Sequence, residues 1–532
     1  MESDSEIEAL ASSYAEKFIQ RNLMETDVSV SEPVFIESVK NRRIRTLGAE
    51  YICYSFLRKL ELDKCLAACA FKKRQLQIAI LLIIGRLVSP GSERHIHYWG
   101  QKKSALDELL HTDFSSLSLN SLYKICDKLL SNKSEIESHL RRKECDLFNL
   151  DEKIILYDLT NTYFEGRAEL NSKARFGNSK EKRKDCRLLT LGLVIDSKGF
   201  PKTSEVFSGN QSEPQTLLEM VNKLTKKAST YRDRNGTKPT VVIDAGIATE
   251  KNLQELKQGY HYIAVSRKKM AFQPSDDFVL IKEDSKNKIE VQRMTSDGEI
   301  FLFCKSTQKA NKEKSIQSRY RQNFEEHLSH ISQSIHKKGG TKKYEKVIER
   351  IGRLKEKYSR IGRFYEIEIE ETDGKATCIT WKYLEDKSDQ HFSGNYYLRT
   401  DRTDLTEKQI WDIYLMLKEL EDAFRTMKSD LNLRPIFHQK ETRSDAHIFI
   451  TIMGYHILHS IRTRLKEVGI HLSWSEIRNR LSTHCRVTNQ MKTQNGKTVF
   501  IRQCSEPEDV HRKIYDALKL KHVPCKKKRM TI

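Results

Sequence analysis

Along the first 150 residues, apolar positions recur at intervals of three and four, the spacing of a buried helix face. RQLQIAILLIIGRLVSPG holds the longest aliphatic run, Ile78 to Ile84, and ends at Pro90 and Gly91. In SLNSLYKICDKLLSNKS, Leu122, Ile125 and Leu129 share one face behind Asn120 or Ser121 as a helix cap. The SNKS join suits a helix-turn-helix, and equally any helical bundle. At residue 151 the texture changes. KIILYDLTNTYFEG is apolar, β-branched and aromatic, which predicts a buried strand. RLLTLGLVIDSKGFPKTSEVFSG predicts a hairpin about Ser197-Lys198-Gly199. SEPQTLLEMVNKL predicts a helix capped by Ser212, and KPTVVIDAGIATEKNLQELKQGYHYIAVSR reads strand, turn, helix, strand. A strand meander followed by alternating helices and strands implies a mixed α/β sheet.

The alternation stops near residue 269. A polar, strand-like stretch runs to Cys304, and a helical segment then repeats Tyr344, Val347, Ile351, Leu354, Tyr358 and Ile361 after Gly339-Gly340. That pattern predicts an antiparallel helical arm. FYEIEIEE and KATCITWKYL follow as strands. Ile410, Ile413, Leu417, Leu420, Phe424, Met427 and Leu431 then predict one long amphipathic helix. A second apolar helix, HIFITIMGYHILHSI, precedes a polar end. The expected organisation is a helical region over 1–150, read as DNA-binding from its helix-turn-helix candidate, and a core in two parts, 151–268 and 395–470. An insertion over 269–394 interrupts that core, and a C-terminal region covers 471–532.

Charge narrows the partner. Lys and Arg number 94 against 73 Asp and Glu, a net charge of +21 over 532 residues. Residues 305–363 alone hold 17 bases and six acids, half of the excess, and Lys526-Lys527-Lys528-Arg529 adds a short cluster. A polyanion is the expected partner, with DNA or RNA the commonest. No aliphatic run approaches the roughly 18 residues of a spanning helix, so no membrane role is expected. The opening MESDSEIEALASSYAEK carries acids where a secretory signal carries bases. Eleven cysteines without a C-x-x-C spacing argue against a zinc ribbon and for reduced thiols in a cytoplasmic protein.

Three acids stand out. Asp158 closes the run Ile154-Ile155-Leu156-Tyr157, and Asp244 closes Val241-Val242-Ile243 ahead of Ala245-Gly246. A carboxylate in or beside a buried strand needs a cation or several donors. Each is also readable as a turn aspartate, but two in one α/β domain favour a shared metal site. Tyr414, Glu421 and Lys428 are seven apart, two helical turns, and border the apolar stripe, with Arg425 one turn beyond Glu421. An ordinary surface Glu pairing at helical spacing explains Glu421 equally well. His456 and His459 read as packed helix residues rather than ligands.

YDLTNTYFEG, FGNSKEKRKDCRLLTLGLVIDSKGFPKTSEVFSGNQSEPQTL, VVIDAGIATEKNL and ELEDAFRTMKSDLNLRPIFH, in that order, resemble the core blocks of DDE transposases of bacterial insertion sequences. The nearest branch carries a Tyr-x2-Arg-x3-Glu-x6-Lys signature and a large insertion before its last acid. The resemblance runs from about 151 to 460. It implies an α/β, RNase H-like mixed-sheet catalytic core interrupted by a large insertion, with a helical N-terminal domain. It implies Asp158, Asp244 and Glu421 as catalytic metal ligands for two Mg²⁺ or Mn²⁺ ions, which three hard carboxylates suit. Tyr414 and Lys428 match the signature, and Leu417 stands where its arginine belongs; Lys418 or Arg425 is the expected substitute as a DNA contact. The implied partners are double-stranded DNA, as terminal inverted repeats and target, and a second copy in a synaptic homodimer at the bacterial nucleoid. Two other classes fit less. A haloacid-dehalogenase-type phosphotransferase needs paired aspartates that Asp244-Ala-Gly lacks, and a catalytically inactive DNA-binding derivative leaves three intact acids unexplained.

Overall fold

The protein is described from a computed structural model. It describes residues 11–532 apart from 13, 16, 20, 21, 26–30, 152, 181, 182, 227–237, 267–276, 286 and 386–393. The first edge of the expected insertion and part of the Lys180–Lys184 run lie outside these residues. The chain divides into two compact units, one of Met1–Pro239 with Met416–Ile532 and one of Thr240–Leu415.

The first unit opens with a short strand β1 (Met24–Glu25) and a long one, β2 (Val34–Thr46). Seven helices follow: α1 (Gly48–Lys59), α2 (Leu62–Ala68), α3 (Lys73–Val88), α4 (Glu93–Lys102), α5 (Leu106–Leu109), α6 (Leu119–Ser131) and α7 (Lys133–Phe148). The aliphatic run of α3 is buried throughout, and α6 buries Leu122, Ile125 and Leu129 as its spacing predicts. Its cap is Ser118 rather than Asn120 or Ser121, because the Ser118 hydroxyl accepts from the Ser121 N–H. β2 departs from an all-helical reading of this region. Its ladder with a C-terminal strand is irregular at two places, and Arg43 has φ +48. Bulges of this kind break the two-residue alternation that marks a strand in a sequence.

Next come β3 (Ile154–Tyr163), β4 (Leu188–Asp196), β5 (Pro201–Ser208) and α8 (Glu213–Lys226). The three strands form an antiparallel meander. Its second turn is held by Asp196, whose Oδ1 accepts from the Lys198 and Phe200 N–H groups at 2.9 Å, with Gly199 at φ +91. That positive φ suits glycine and no bulky residue. Alternate β3 residues point to opposite sides. Tyr157 donates to Thr216 of α8 at 2.7 Å, whereas Thr162 donates to the Leu433 carbonyl at 3.1 Å. Asp158 shares the Thr162 side.

In the second unit, β6 (Thr240–Ile243), α9 (Glu250–Leu256) and β7 (His261–Ser266) form a parallel β-α-β turn, capped by the Thr249 hydroxyl. β8 (Val279–Asp284), β9 (Asn287–Ser296) and β10 (Glu299–Ser306) then run as an antiparallel meander. The helices α10 (Thr307–His336), α11 (Tyr344–Lys357) and α12 (Ser359–Gly362) precede the hairpin β11 (Tyr365–Thr372) and β12 (Lys375–Tyr383). Phe324, Leu328, Ile331 and Ile335 meet Val347, Ile351, Leu354 and Ile361 in one core under that hairpin, as the spacing of the arm predicts. β13 (Asn395–Thr400) pairs with both β7 and β10. The strands therefore line up β6-β7-β13-β10-β9-β8, a mixed sheet. Three strands of the 269–394 stretch thus belong to this sheet, beside the helical arm.

The long helix expected after β13 is two, α13 (Glu407–Leu415) and α14 (Leu417–Ser429). At Met416 the backbone tightens, and Glu419 N–H donates to the Met416 carbonyl three residues back at 2.9 Å. Such a three-residue turn interrupts the regular helix ladder. The first unit closes with α15 (Glu441–Glu467), α16 (Trp474–Leu481), β14 (Cys485–Thr493), β15 (Thr498–Cys504), α17 (Asp509–Ala517) and β16 (Lys528–Thr531). The strands form a second sheet in the order β1-β16-β15-β14-β2. Among the described residues no single helix is long and apolar enough to cross a membrane.

One carboxylate fastens this second sheet to the N-terminal helices. Glu108 accepts from Arg486 Nε at 2.9 Å and from Arg502 Nη2 at 2.6 Å, and both arginine side chains are almost fully buried. Removing one partner of a buried pair leaves an uncompensated charge. We predict that Glu108→Ala destabilises the protein by about 3–5 kcal/mol in urea denaturation. A change within about 0.5 kcal/mol, the scale of ordinary surface substitutions, contradicts this role.

Candidate active site

Asp158 is the fifth residue of β3 and pairs with Leu193 of β4, so it sits within the strand rather than at its end. Its side chain is 23% exposed, and Lys180 Nζ lies 3.8 Å from Oδ1. Lys180 comes from the connection between β3 and β4. It also donates to the Leu159 carbonyl at 2.6 Å and lies 3.9 Å from Glu213 Oε1 at the start of α8. α14 packs on β3 and brings up Lys428. Burial pushes the Lys428 ammonium pKa down, Lys180 pushes the same way, and Asp158 opposes both. Asp158 thus faces two ammonium groups, one of them shared with Glu213, and both are of a kind that also binds phosphate.

Glu421 is exposed on α14, on the stripe that Lys428 continues about 10 Å further along the axis. Arg425 is exposed and donates to Asp422. Lys418 is exposed, and Leu417, in the place of the signature arginine, is partly buried. Asp244 and Tyr414 belong to the second unit. Asp244 follows β6 directly and is exposed; its Oδ1 accepts from the Ala245 N–H at 2.7 Å. It is not the cap of α9, a role that Thr249 fills. The Tyr414 ring lies 6.1 Å from that of Tyr396, whose hydroxyl accepts from Trp411 at 3.1 Å. The structure therefore groups Asp158 and Lys428 with a residue that sequence reading missed, Lys180. Its signal was the basic run at 180–184, placed between strands that a short turn would otherwise join.

A second polar cluster escaped the sequence because its members are far apart in the chain. Ligand atoms of Glu93, His438 and His447 lie within 4.8 Å of one another. His438 Nε2 is 2.9 Å from Glu93 Oε2, while Arg86 Nη2 is 3.1 Å from His447 Nδ1 and 3.5 Å from Glu93 Oε1. Arg86 is fully buried, so this cluster already contains its cation and is poorly suited to a metal ion. Burial opposes ionisation of Glu93, yet His438, Arg86 and His447 together hold its pKa down at about 2. His456 and His459 are packed, as their helix position predicts. His456 Nδ1 meets Glu144 at 2.7 Å, and His459 Nε2 meets the Lys198 carbonyl at 2.8 Å.

A family model described as Transposase DDE domain matches residues 149–457, more than half of the chain. The chain belongs to the DDE transposase family. No curated protein matches it. Among solved structures it is similar to a Mos1 transposase paired-end complex with left transposon end, at 14% identity and a TM-score of 0.14. That similarity covers 29% of this chain and 50% of the Mos1 chain, so the match spans half the length of that relative. The matched transposase domain holds Asp158, Asp244, Glu421 and Lys428, as well as His438 and His447. Arg86 and Glu93 precede it, so their cluster ties the transposase domain to helices outside it.

The Glu93 carboxyl, lowered from 4.5 to about 2, stabilises the fold fully above pH 4.5. That contribution is lost as the pH falls towards 2. We predict that urea stability drops more steeply between about pH 5 and pH 2 in the wild type than in Glu93→Gln, these being about the limits of that titration. Parallel pH profiles contradict the assignment.

Proposed function

We propose that this protein is a DNA transposase that cuts the ends of its insertion sequence and joins the freed 3′-OH ends to target DNA. The observation that carries the reading is the transposase family match, over a segment in which Asp158 is half-buried in a strand with Lys180 and Lys428 as its neighbours. Asp158, Asp244 and Glu421 are the proposed catalytic residues and the holders of two Mg²⁺ or Mn²⁺ ions. The donor chemistry fits, since carboxylate oxygens suit hard divalent cations, and Asp158 already attracts an ammonium group. When bound, the pair of ions would supply Lewis-acid activation of the attacking oxygen and stabilisation of the leaving one.

The residues of the chain have the remaining tasks. Water attacks the phosphorus at the element end, and the 3′-oxygen leaves as the strand is nicked. The freed 3′-OH then attacks a target phosphodiester in the same way, so no covalent protein intermediate forms. Lys428 and Tyr414 are the proposed contacts to phosphates beside the scissile bond, with Arg425 and Lys418 along the same helical stretch. Residues 1–150 are the proposed reader of the element ends, and the basic arm of α10 and α11 the proposed contact to DNA backbone. A homodimer in a synaptic complex at the bacterial nucleoid follows from the need to pair two ends.

The decisive experiment incubates the protein with a duplex carrying its own element end and Mg²⁺ or Mn²⁺. Asp158→Asn, Asp244→Asn and Glu421→Gln should each lower terminal nicking by about 10²–10³-fold, the scale of losing one charge-stabilising group at a reacting centre. Near-wild-type nicking by any one removes that residue from the site. Lys428→Ala should lower or misplace cleavage while end binding is kept. Equal loss of binding to unrelated DNA contradicts its phosphate role. Leu417→Arg restores the signature arginine and should raise activity if the departure is a deficit; unchanged activity means that a neighbour already substitutes.

A further inference from the structure

We infer that Lys180 is a positioning residue that holds the cation place beside Asp158 until DNA phosphate draws it away, so that metal loading is coupled to DNA binding. The inference rests on the proposed role of Asp158 as a metal ligand. Lys180 Nζ stands between two carboxylates, 3.8 Å from Asp158 Oδ1 and 3.9 Å from Glu213 Oε1, and is fixed by the Leu159 carbonyl at 2.6 Å. A divalent ion approaching Asp158 meets this ammonium group first. The two cations cannot share one carboxylate without strong repulsion.

The segment that carries Lys180 is anchored, so its place is not incidental. The connection leaves β3 through a bridge from Phe164 to Ile436 and returns past a bridge from Arg175 to Leu188. Lys173 is tied to Asp445 at 2.6 Å. At Gly177 the backbone passes so close to Gly209 that a Cβ would lie 2.1 Å from its carbonyl oxygen. These contacts deliver Lys180 to the carboxylate, while its side chain remains 44% exposed and so within reach of an incoming phosphate. Lys428 is the second ammonium group beside Asp158. It is more buried and is held by α14, and Lys180 lowers its ammonium pKa. A phosphodiester entering here offers Lys180 a new anionic partner, and Asp158 is then released to a divalent ion.

The test measures Mn²⁺ binding by the electron paramagnetic resonance signal of free Mn²⁺, with and without a duplex oligonucleotide, for the full chain. Without DNA, Lys180→Met should bind Mn²⁺ about tenfold more tightly than the wild type, the low end of what an adjacent charge does and discounted for exposure. With duplex the two should converge. Lys180→Arg keeps the charge and should behave as the wild type, and matched thermal melting confirms that each variant folds. Equal or weaker Mn²⁺ binding by Lys180→Met without DNA, or a gap that persists with duplex, overturns the inference. Asp158→Asn separates the two claims. If it abolishes Mn²⁺ binding while Lys180→Met changes nothing, only the role of Lys180 fails; if it leaves Mn²⁺ binding intact, the metal role of Asp158 fails with it.

Discussion

A helix that is apolar on every side must be enclosed, and α15 imposes that constraint on the first unit. Its residues from Ser444 to Ile461 are buried almost without a break. α3, α6 and α14 all pack on it, so helices from both ends of the chain are drawn round one axis. The polar groups of α15 then need partners inside. His447 takes Arg86 and Glu93, His456 takes Glu144, and His459 takes the Lys198 carbonyl in the β4–β5 turn. Buried polar groups without partners are costly, so these contacts define how the enclosing elements seat. Through α14 and the β4–β5 turn, the same helix orders the surroundings of Asp158.

Asp158 obeys the same rule with a functional consequence. A half-buried carboxylate within a strand has to be offered positive charge. The chain supplies it from two directions, a loop lysine and a helix lysine, and both are the kind of group that also binds phosphate. Electrostatic demand at one strand residue thus brings together the elements of the proposed site. The Glu108 clamp on Arg486 and Arg502 shows the structural version of that demand, with one carboxylate held between two buried guanidinium groups.

Much of this was legible in the sequence wherever periodicity and burial agree. The β3–β5 meander, the β6-α9-β7 turn, the arm of α10 and α11 and the all-round apolar α15 follow from regular spacing of apolar residues. β2 was hidden because its bulges break the alternation and its partner lies over 400 residues away. The break at Met416 was hidden because apolar spacing continues unperturbed through it. Asp158 and Lys428 stood out by context, whereas Lys180 did not. Its relation to Asp158 depends on a loop path, fixed by backbone contacts at Gly177 and Arg175, that no local pattern encodes. The cluster of Arg86, Glu93, His438 and His447 was likewise illegible, since it joins residues more than 300 positions apart.

The most direct test of the central claim is a crystal structure of the protein grown with Mn²⁺ and a duplex carrying its element end, read by anomalous scattering at the manganese edge. The account predicts anomalous peaks at the carboxylates of Asp158, Asp244 and Glu421, with the Lys180 side chain turned away from Asp158. Manganese bound only elsewhere, such as at Glu93, His438 and His447, would contradict it.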